Sequence, residues 1–308
     1  MSTGRILFIR GGAIGDFILT LPALAAVKRQ FPAVCLEVLG YPHIACLAGA
    51  GGLVMAIKPV ESRPLAGFFA RRGELAPELA GYFAEFHVIF TYLFDPDELF
   101  RDNLAKVTKA QVIQGPHRPN ESQPLHATEQ LLEPLERLAI FDADPQPRLE
   151  LTAQIPARPT RTRTLAVHPG SGSERKNWPE AHWAALLRQL AVTTDHDFLL
   201  VGGEAEGERL ERLVAGLPPG RTRLARSLPL PELARCLRGC AAFLGHDSGI
   251  SHLAAALGLP GVVLWGPSNA TVWRPKSDRF ELLTAPGGDL ARLTVHDVWS
   301  HVLPWLNR

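Results

Sequence analysis

The sequence has few cysteines and little net charge. Its four cysteines show neither a second spaced pair nor a nearby histidine cluster, which argues against a zinc site and predicts buried, reduced thiols. With 32 Lys and Arg against 31 Asp and Glu, the formal net charge is +1, and nothing in this balance favours a nucleic-acid partner. Any basic surface must therefore be local.

Long apolar runs are also lacking. The most apolar stretch, residues 252–267, is interrupted by glycine and proline and does not predict a membrane span. No secretory signal precedes the first apolar run at residues 5–9. We therefore expect a cytoplasmic protein, with peripheral contact at the inner face of the cytoplasmic membrane left open.

Short apolar runs alternate with helical patterns, which is typical of an α/β fold with parallel sheets. The predicted strands are residues 5–9, 35–39, 87–93, 110–114, 164–168, 197–201, 241–245 and 261–265. The length of 308 residues suits two domains, separated by a proline- and arginine-rich linker at 145–164. We predict domains at 1–155 and 156–290, and a C-terminal helix at 291–308 that either crosses back to the first domain or packs locally.

A glycine-rich turn follows the first strand in RGGAIGDFILTLP, residues 10–22. The turn lacks the first glycine of a dinucleotide-binding fingerprint, because Arg10 occupies that position. It ends in Asp16, whose charge would repel a phosphate. Asp16 is either a helix cap or a catalytic carboxylate, and these residues alone leave the two readings equal. The helix predicted from about Phe17 to Gln30 places Phe17, Leu21, Leu24 and Ala25 on one face.

The segment HPGSGSERKNWPEAHW, residues 168–183, places glycines, serines and basic residues directly after a strand. Backbone N–H groups, hydroxyls and a lysine commonly bind a diphosphate. We select Ser171 and Lys176 as donor-binding candidates, and interpret Arg175 as a solvated charge. Helical spacing from Trp183 onward places Pro179 and Glu180 in the first turn of a helix.

The segment FLGHDSGISHLAAALGLP, residues 243–260, predicts a strand and then a buried helix that starts at a polar turn. Free N–H groups and the helix dipole make such a start suitable for an anion. The candidates in this segment are Asp247, Ser248, Gly249 and His252. We expect His252 on the polar side of the helix, where a structural and a catalytic role are equally plausible.

Two acidic segments complete the candidates. In VGGEAEGERL, residues 201–210, Glu204 is best placed to hold ribose hydroxyls, whereas Glu206 and Glu208 are expected to be solvated. In FDPDEL, residues 94–99, Asp95 and Asp97 resemble a metal-binding pair, but a turn with a helix start is strongly preferred.

Three segments together resemble the signature regions of glycosyltransferase family 9, which includes the ADP-heptose:lipopolysaccharide heptosyltransferases. They are RILFIRGGAIGDFILTLPAL, HPGSGSERKNWP and GHDSGISHLAAALGLPGVVLWGPSNATVWRP. The resemblance implies a GT-B architecture, in which two Rossmann-like domains face a central cleft. The first domain would bind the acceptor and the second the nucleotide-sugar. Residues 45–125 carry no clear resemblance.

The resemblance also implies roles for single residues. Asp16 matches the catalytic base, Lys176 the lysine that contacts the diphosphate, and Glu204, less securely, a ribose-binding glutamate. The other matches to the donor site are Gly12, Ser171, Asp247, Ser248, Gly249 and His252. The implied reaction is an inverting, metal-independent transfer, in which ADP-heptose is a substrate and no cofactor is needed.

The resemblance implies a lipopolysaccharide-core-like, lipid-linked acceptor. Residues 61–86 have no clean period, and we expect part of this segment to be mobile. We hypothesise that its Arg63, Arg71 and Arg72 contact anionic groups of the acceptor, although a solvated basic loop is equally plausible. The alternatives are another nucleotide donor, a protein or glycan acceptor, a sugar-nucleotide epimerase, and a binding protein without chemistry.

Overall fold

The computed structural model describes residues 4–151, 163–203 and 206–306. The chain divides into two compact units, Met1–Thr152 and Ala153–Arg308. In the described residues no helix is both long enough and apolar enough to cross a membrane. The cysteines there are free, but Cys236 is exposed and the others are only partly buried, so the prediction of buried thiols was wrong.

The first unit is built on a parallel sheet with the strand order β3-β2-β1-β4-β5. Its strands are β1 (Arg5–Arg10), β2 (Cys35–Gly40), β3 (Ala56–Pro59), β4 (Val88–Thr91) and β5 (Gln111–Gln114). Its helices are α1 (Ile14–Gln30), α2 (Pro42–Ala50), α3 (Pro77–Ala84), α4 (Leu99–Ala105) and α5 (Ala127–Leu132), with 3₁₀ turns at Arg63–Phe69 and Glu133–Leu138.

The strand β1 lies in the middle of this sheet, paired in parallel with β2 on one side and β4 on the other. In open α/β sheets, ligands bind beyond the carboxyl ends of the strands, where the strand order reverses. The turn after β1 occupies this position. It leads into α1, which is buried on nearly all sides between Phe17 and Leu24, whereas Ala25 is exposed. The one-sided face predicted for this helix was therefore wrong.

The segment after β3 is not a loose loop. Leu65 and Phe68 of the 3₁₀ turn are buried in the core of the first unit, with Phe83 and Phe100. The amide of Asn103 donates to the carbonyls of Phe68 and Ala70, at 3.0 and 2.9 Å. The segment is thus fixed in place at its apolar residues.

The second unit has a parallel sheet with the order β11-β10-β9-β6-β7-β8. Its strands are β6 (Thr164–His168), β7 (Asp197–Gly202), β8 (Thr222–Arg226), β9 (Ala242–His246), β10 (Gly261–Trp265) and β11 (Phe280–Thr284). Its α helices are α6 (Glu180–Thr193), α7 (Arg209–Ala215), α8 (Leu230–Arg238), α9 (Gly249–Ala256), α10 (Ala270–Trp273) and α11 (Val295–Leu306). Its 3₁₀ turns are Glu174–Lys176, Pro219–Arg221, Pro286–Gly288 and Leu290–Arg292.

The strands β6 and β9 are neighbours at the centre of this sheet, where the strand order reverses. The loops that follow them therefore emerge side by side at the carboxyl edge. The C-terminal helix α11 packs within this unit, because Val298 and Val302 are buried in the same core as Trp183 and Leu187 of α6.

Candidate functional site

The turn after β1 is closed by the Asp16 side chain. Gly12 has a φ of +101°, a conformation that L residues rarely adopt, and a Cβ at this position would lie 2.8 Å from Oδ2 of Asp16. The N–H of Ala13 donates to the same Oδ2 atom at 2.8 Å. Asp16 therefore stabilises the start of α1, as expected if it acts as a helix cap. Its side chain stays 31% exposed, so the carboxylate is also accessible.

The buried Arg10, at the end of β1, is the charged neighbour of Asp16. Its Nη2 atom lies 3.7 Å from Oδ1 of Asp16, and its Nη1 donates to the carbonyl of His117 at 2.9 Å. Burial lowers the pKa of the Arg10 guanidinium, and the charge of Asp16 opposes that shift. In the sequence, Arg10 is notable only because it occupies the position of a fingerprint glycine, so this contact was not predicted. The carboxylate thus sits between a backbone donor and a guanidinium.

In the second unit the candidates Lys176 and Asp247 lie together. The Nζ atom of Lys176 is 2.6 Å from Oδ2 of Asp247, and only 11% of the Asp247 side chain is exposed. The hydroxyl of Ser171 lies 2.8 Å from Oδ1 of Asn177, so it stabilises the loop that carries Lys176. The structure therefore brings a cation to the loop between β9 and α9.

The start of α9 carries the next candidates. Ser248 is the N-cap, and its hydroxyl accepts from the N–H of Ser251 at 3.3 Å. Gly249 begins the helix, where the first N–H groups have no acceptor within the helix. His252 is buried in α9 rather than on a polar side, so that part of the prediction was wrong. The helix is short and packs into the sheet around this position.

The glutamates after β7 differ from expectation. Glu204 lies outside the described residues. Glu206, expected in solvent, is only 8% exposed and accepts from the N–H of Gly203 at 2.6 Å. A Cβ at Gly170 would lie 1.9 Å from Oε1 of Glu206, so this carboxylate packs directly against the loop after β6. Glu208 is 85% exposed, as expected. Nothing in the spacing distinguishes Glu206 from Glu208. The only signal in the sequence was the glycine at position 170, which leaves room for the Glu206 side chain.

The remaining candidates lie on the first unit. Asp95 accepts from the N–H groups of Phe100 and Arg101 at 3.1 and 3.0 Å, which is the helix-start role preferred for it. Over the described part of the chain, no group of three His, Cys, Asp or Glu side chains could hold a metal ion. The basic candidates Arg63, Arg71 and Arg72 are all exposed.

The sequence model of glycosyltransferase family 9 (heptosyltransferase) matches residues 126–297, more than half of the chain. The chain belongs to glycosyltransferase family 9. Lipopolysaccharide heptosyltransferase 1 of Pseudomonas aeruginosa is 26% identical over 86% of this chain and 79% of its own length. Lipopolysaccharide heptosyltransferase 1 of Escherichia coli O18:K1:H7 is 32% identical over 40% of this chain, and the match spans only 37% of that protein.

Solved structures of this family share the fold. E. coli heptosyltransferase WaaC with ADP superimposes with a TM-score of 0.77 at 19% identity, over 98% of this chain and 99% of that one. E. coli ADP-heptose lps heptosyltransferase II gives a TM-score of 0.78 at 18% identity, over 98% of both chains. The family resemblance and the α/β fold class of GT-B type, with two parallel sheets, are therefore confirmed. The roles of the single site residues stay predictions.

Proposed function

We propose that this family 9 glycosyltransferase moves a heptose from ADP-heptose to a hydroxyl of a lipopolysaccharide-core-like acceptor, with inversion at the anomeric carbon. The observation that carries the proposal is the position of Lys176 beside Asp247, one residue before the cap of α9. A cation and a helix start at the carboxyl edge of a parallel sheet suit a nucleoside diphosphate. The names of the relatives support heptose as the sugar.

We assign the leaving group to the second unit. As the bond to the anomeric carbon breaks, negative charge grows on the diphosphate. Lys176 and the N–H groups at the start of α9 can stabilise that charge. Ser171, Asp247, Ser248 and Gly249 would shape this site, and His252 would support it from within α9. In this proposal these groups neutralise the diphosphate without a metal, and no cofactor takes part.

We assign the general base to Asp16. Its carboxylate would take the proton from the acceptor hydroxyl as that oxygen attacks the anomeric carbon from the face opposite the nucleotide. The N–H of Ala13 and the guanidinium of Arg10 hold the carboxylate in one orientation before the acceptor binds. Gly12 supports this geometry, because only a glycine leaves room for the Asp16 oxygen.

The ribose has two candidate partners. Glu204 keeps the role that the family resemblance implies. Glu206 is the alternative that the fold supports, because it is a buried carboxylate held by Gly203 against the loop after β6. Separate replacement of each glutamate by glutamine decides between them. Only replacement of the glutamate that binds the ribose should reduce the affinity for ADP more than the affinity for 2′-deoxy-ADP.

We place the reaction at the cytoplasmic face of the inner membrane, where a lipid-linked acceptor is accessible. The exposed arginines Arg63, Arg71 and Arg72 would meet its anionic groups, while the apolar side of their segment stays in the core. Contact with the membrane would then be peripheral and electrostatic.

Titration calorimetry of the protein with ADP, UDP, GDP and CDP, each in the presence of EDTA, tests the donor site. We expect selective ADP binding that Lys176→Ala weakens. Selective binding of another nucleotide would be consistent with the same reaction, but the donor would carry that nucleotide in place of ADP. Incubation with ADP-heptose and core acceptors of different length then identifies the product. A changed sugar nucleotide without transfer would indicate an epimerase instead.

A further inference from the structure

His246, the last residue of β9, connects the two ends of the loop that carries Lys176. Its Nε2 atom accepts from the N–H of Trp178 at 2.9 Å, and its Nδ1 lies 3.4 Å from the carbonyl oxygen of Gly170. This loop begins at Gly170 and ends at Trp178. The imidazole is completely buried, so both contacts are shielded from water.

These contacts require one form of the ring. An Nε2 atom that accepts a hydrogen bond carries no hydrogen, so the neutral ring must be protonated at Nδ1. The Nδ1–H group then faces the carbonyl of Gly170, which can only accept. Burial, with the neighbouring His168, lowers the pKa of His246 to about 3. The ring therefore stays neutral near neutral pH and keeps its acceptor.

The surroundings of His246 hold it in place. The ring of Trp183 packs edge-on against it, with centroids 5.3 Å apart and planes at 77°. Trp178 is fixed in turn, because its indole N–H donates to the carbonyl of Leu293 at 2.9 Å. The residue after His246 is Asp247, the partner of Lys176. The last residue of β9 thus contacts the loop at both ends, and the residue after it contacts the lysine of the loop.

We propose that His246 is a positioning residue for the diphosphate site: its neutral imidazole holds the loop 170–178 in the shape that brings Lys176 to Asp247 at the start of α9. The inference rests on the proposed function, since the ligand is the nucleoside diphosphate of the donor. His246 does not touch that ligand and acts through Lys176 and Ser171. A histidine that only filled the core would contribute to stability without affecting nucleotide affinity.

Two variants and a matched control separate these roles. His246→Leu keeps a buried apolar side chain and removes both polar contacts. His246→Gln restores an oxygen that can accept from the N–H of Trp178. His196→Leu removes another buried histidine of the same unit, just before the amino end of β7 and so away from the site. For each protein the Kd for ADP and the Tm are measured.

We expect His246→Leu to raise the Kd for ADP at least tenfold at temperatures where the protein is folded, and His246→Gln to recover most of the affinity. His196→Leu should leave the Kd unchanged, whatever its Tm. Wild-type affinity in folded His246→Leu would overturn the inference. If instead the wild-type protein bound no nucleoside diphosphate, the proposed function would fail, whereas nuclear magnetic resonance tests the loop contact independently of any ligand.

Nuclear magnetic resonance of the wild-type protein tests the contact without a variant. Histidine ¹⁵N shifts should identify His246 as the Nδ1–H form, and the N–H of Trp178 should exchange slowly with solvent. A ring protonated at Nε2, or a rapidly exchanging Trp178 amide, would overturn the inference even if His246→Leu did not fold.

Discussion

The ammonium of Lys176 lies 2.6 Å from the carboxylate of Asp247, although the two residues are 71 positions apart in the chain. The pair joins the loop after β6 to the loop after β9, at the point where the order of the second sheet reverses. A diphosphate that binds there must share or replace Asp247 as the partner of the lysine. In the proposed function, stability and nucleotide affinity therefore depend on the same ion pair in different ways.

Replacement of Lys176 by alanine should raise the Kd for ADP about 10- to 100-fold, the usual range for one charge-assisted hydrogen bond. It should also lower the Tm, because the nearly buried Asp247 carboxylate loses its partner. Adding Asp247→Asn should restore the Tm but not the affinity. The exposed neighbour Arg175 is the control, and Arg175→Ala should change neither quantity. A double variant that regained ADP binding would contradict the role of Lys176.

Replacement of Asp16 by asparagine should lower kcat about 100- to 10,000-fold, the usual contribution of a general base. The amide oxygen can still accept from the N–H of Ala13, so the start of α1 should be preserved. The buried Arg10 guanidinium loses its counter-charge, so the Tm should fall. The Kd for ADP should not change. Steady-state transfer and calorimetry on the same preparation measure both quantities. A variant with wild-type kcat would leave Asp16 only as a helix cap.

Replacement of Gly170 by alanine should move Glu206, because the added Cβ would lie 1.9 Å from Oε1. We expect a loss of about 1–3 kcal/mol in the free energy of unfolding, as for other overpacked sites. ADP affinity should fall as well if Glu206 contacts the ribose. Gly220→Ala is the matched control, since nothing lies within 4 Å of a Cβ there. Urea unfolding and ADP titration of both variants provide the comparison.

The buried histidines should make the protein lose stability in mild acid. The pKa of His246 is about 3 in the native state and ordinarily 6.5, so between these values the unfolded chain binds a proton that the native protein does not. Stability then falls as pH falls, by up to roughly 1.4 kcal/mol per pH unit for each such histidine. The pKa values of His168 and His196 are lowered too, again mainly by burial.

Urea unfolding of the wild-type protein and of His246→Gln, at about pH 7 and about pH 5, measures how much of the stability lost in acid is due to His246. The groups that act on it are His168, which also disfavours its charge, and the Arg209 guanidinium. We expect a smaller acid loss in the variant, whatever its stability at neutral pH. Equal losses in both proteins would mean that His246 takes up its proton in the native state.

Charge reversal at Arg63, Arg71 and Arg72 should reduce kcat/KM for an anionic acceptor without altering the Kd for ADP. The fold should persist, because the segment is anchored by Leu65 and Phe68 rather than by the arginines. Reversal of the exposed Lys109, Arg137 and Arg148, on the same unit, changes the net charge by the same amount and is the control. The effect should weaken as salt is added. An unchanged kcat/KM would leave these arginines as a solvated surface.

The central strands of both sheets were predictable, whereas three of the four edge strands were not. The strands β1, β6 and β10 are buried, and their uninterrupted apolar runs identify them. The strands β3, β8 and β11 lie at the sheet edges, where partial exposure admits Lys, Arg and Glu, and the sequence analysis missed all three. Because edge strands are partly exposed, they lack the uninterrupted apolar run by which the buried strands were predicted.

The same limit applies to the candidate site. Asp16, Lys176 and Asp247 were found because each follows a strand with glycine or a hydroxyl residue nearby. Glu206 was assigned to solvent because its sequence neighbours are polar, and its burial depends on Gly170, 36 residues earlier. His246 follows the predicted strand 241–245 and was not selected as a candidate. Contacts between residues far apart in the chain decide such roles, and local spacing does not contain them.

The hydrogen bond from Arg10 to the carbonyl of His117 spans 107 residues. A contact of such long range needs a large loop to close before it can form, which costs conformational entropy. The turn before α1 and the bond from Ala13 to Asp16 are local and can form early. The guanidinium beside Asp16, in contrast, is anchored by a residue that follows β5. The Asp16 carboxylate is therefore oriented by a near neighbour in sequence, whereas its counter-charge is oriented by a segment 107 residues further along the chain.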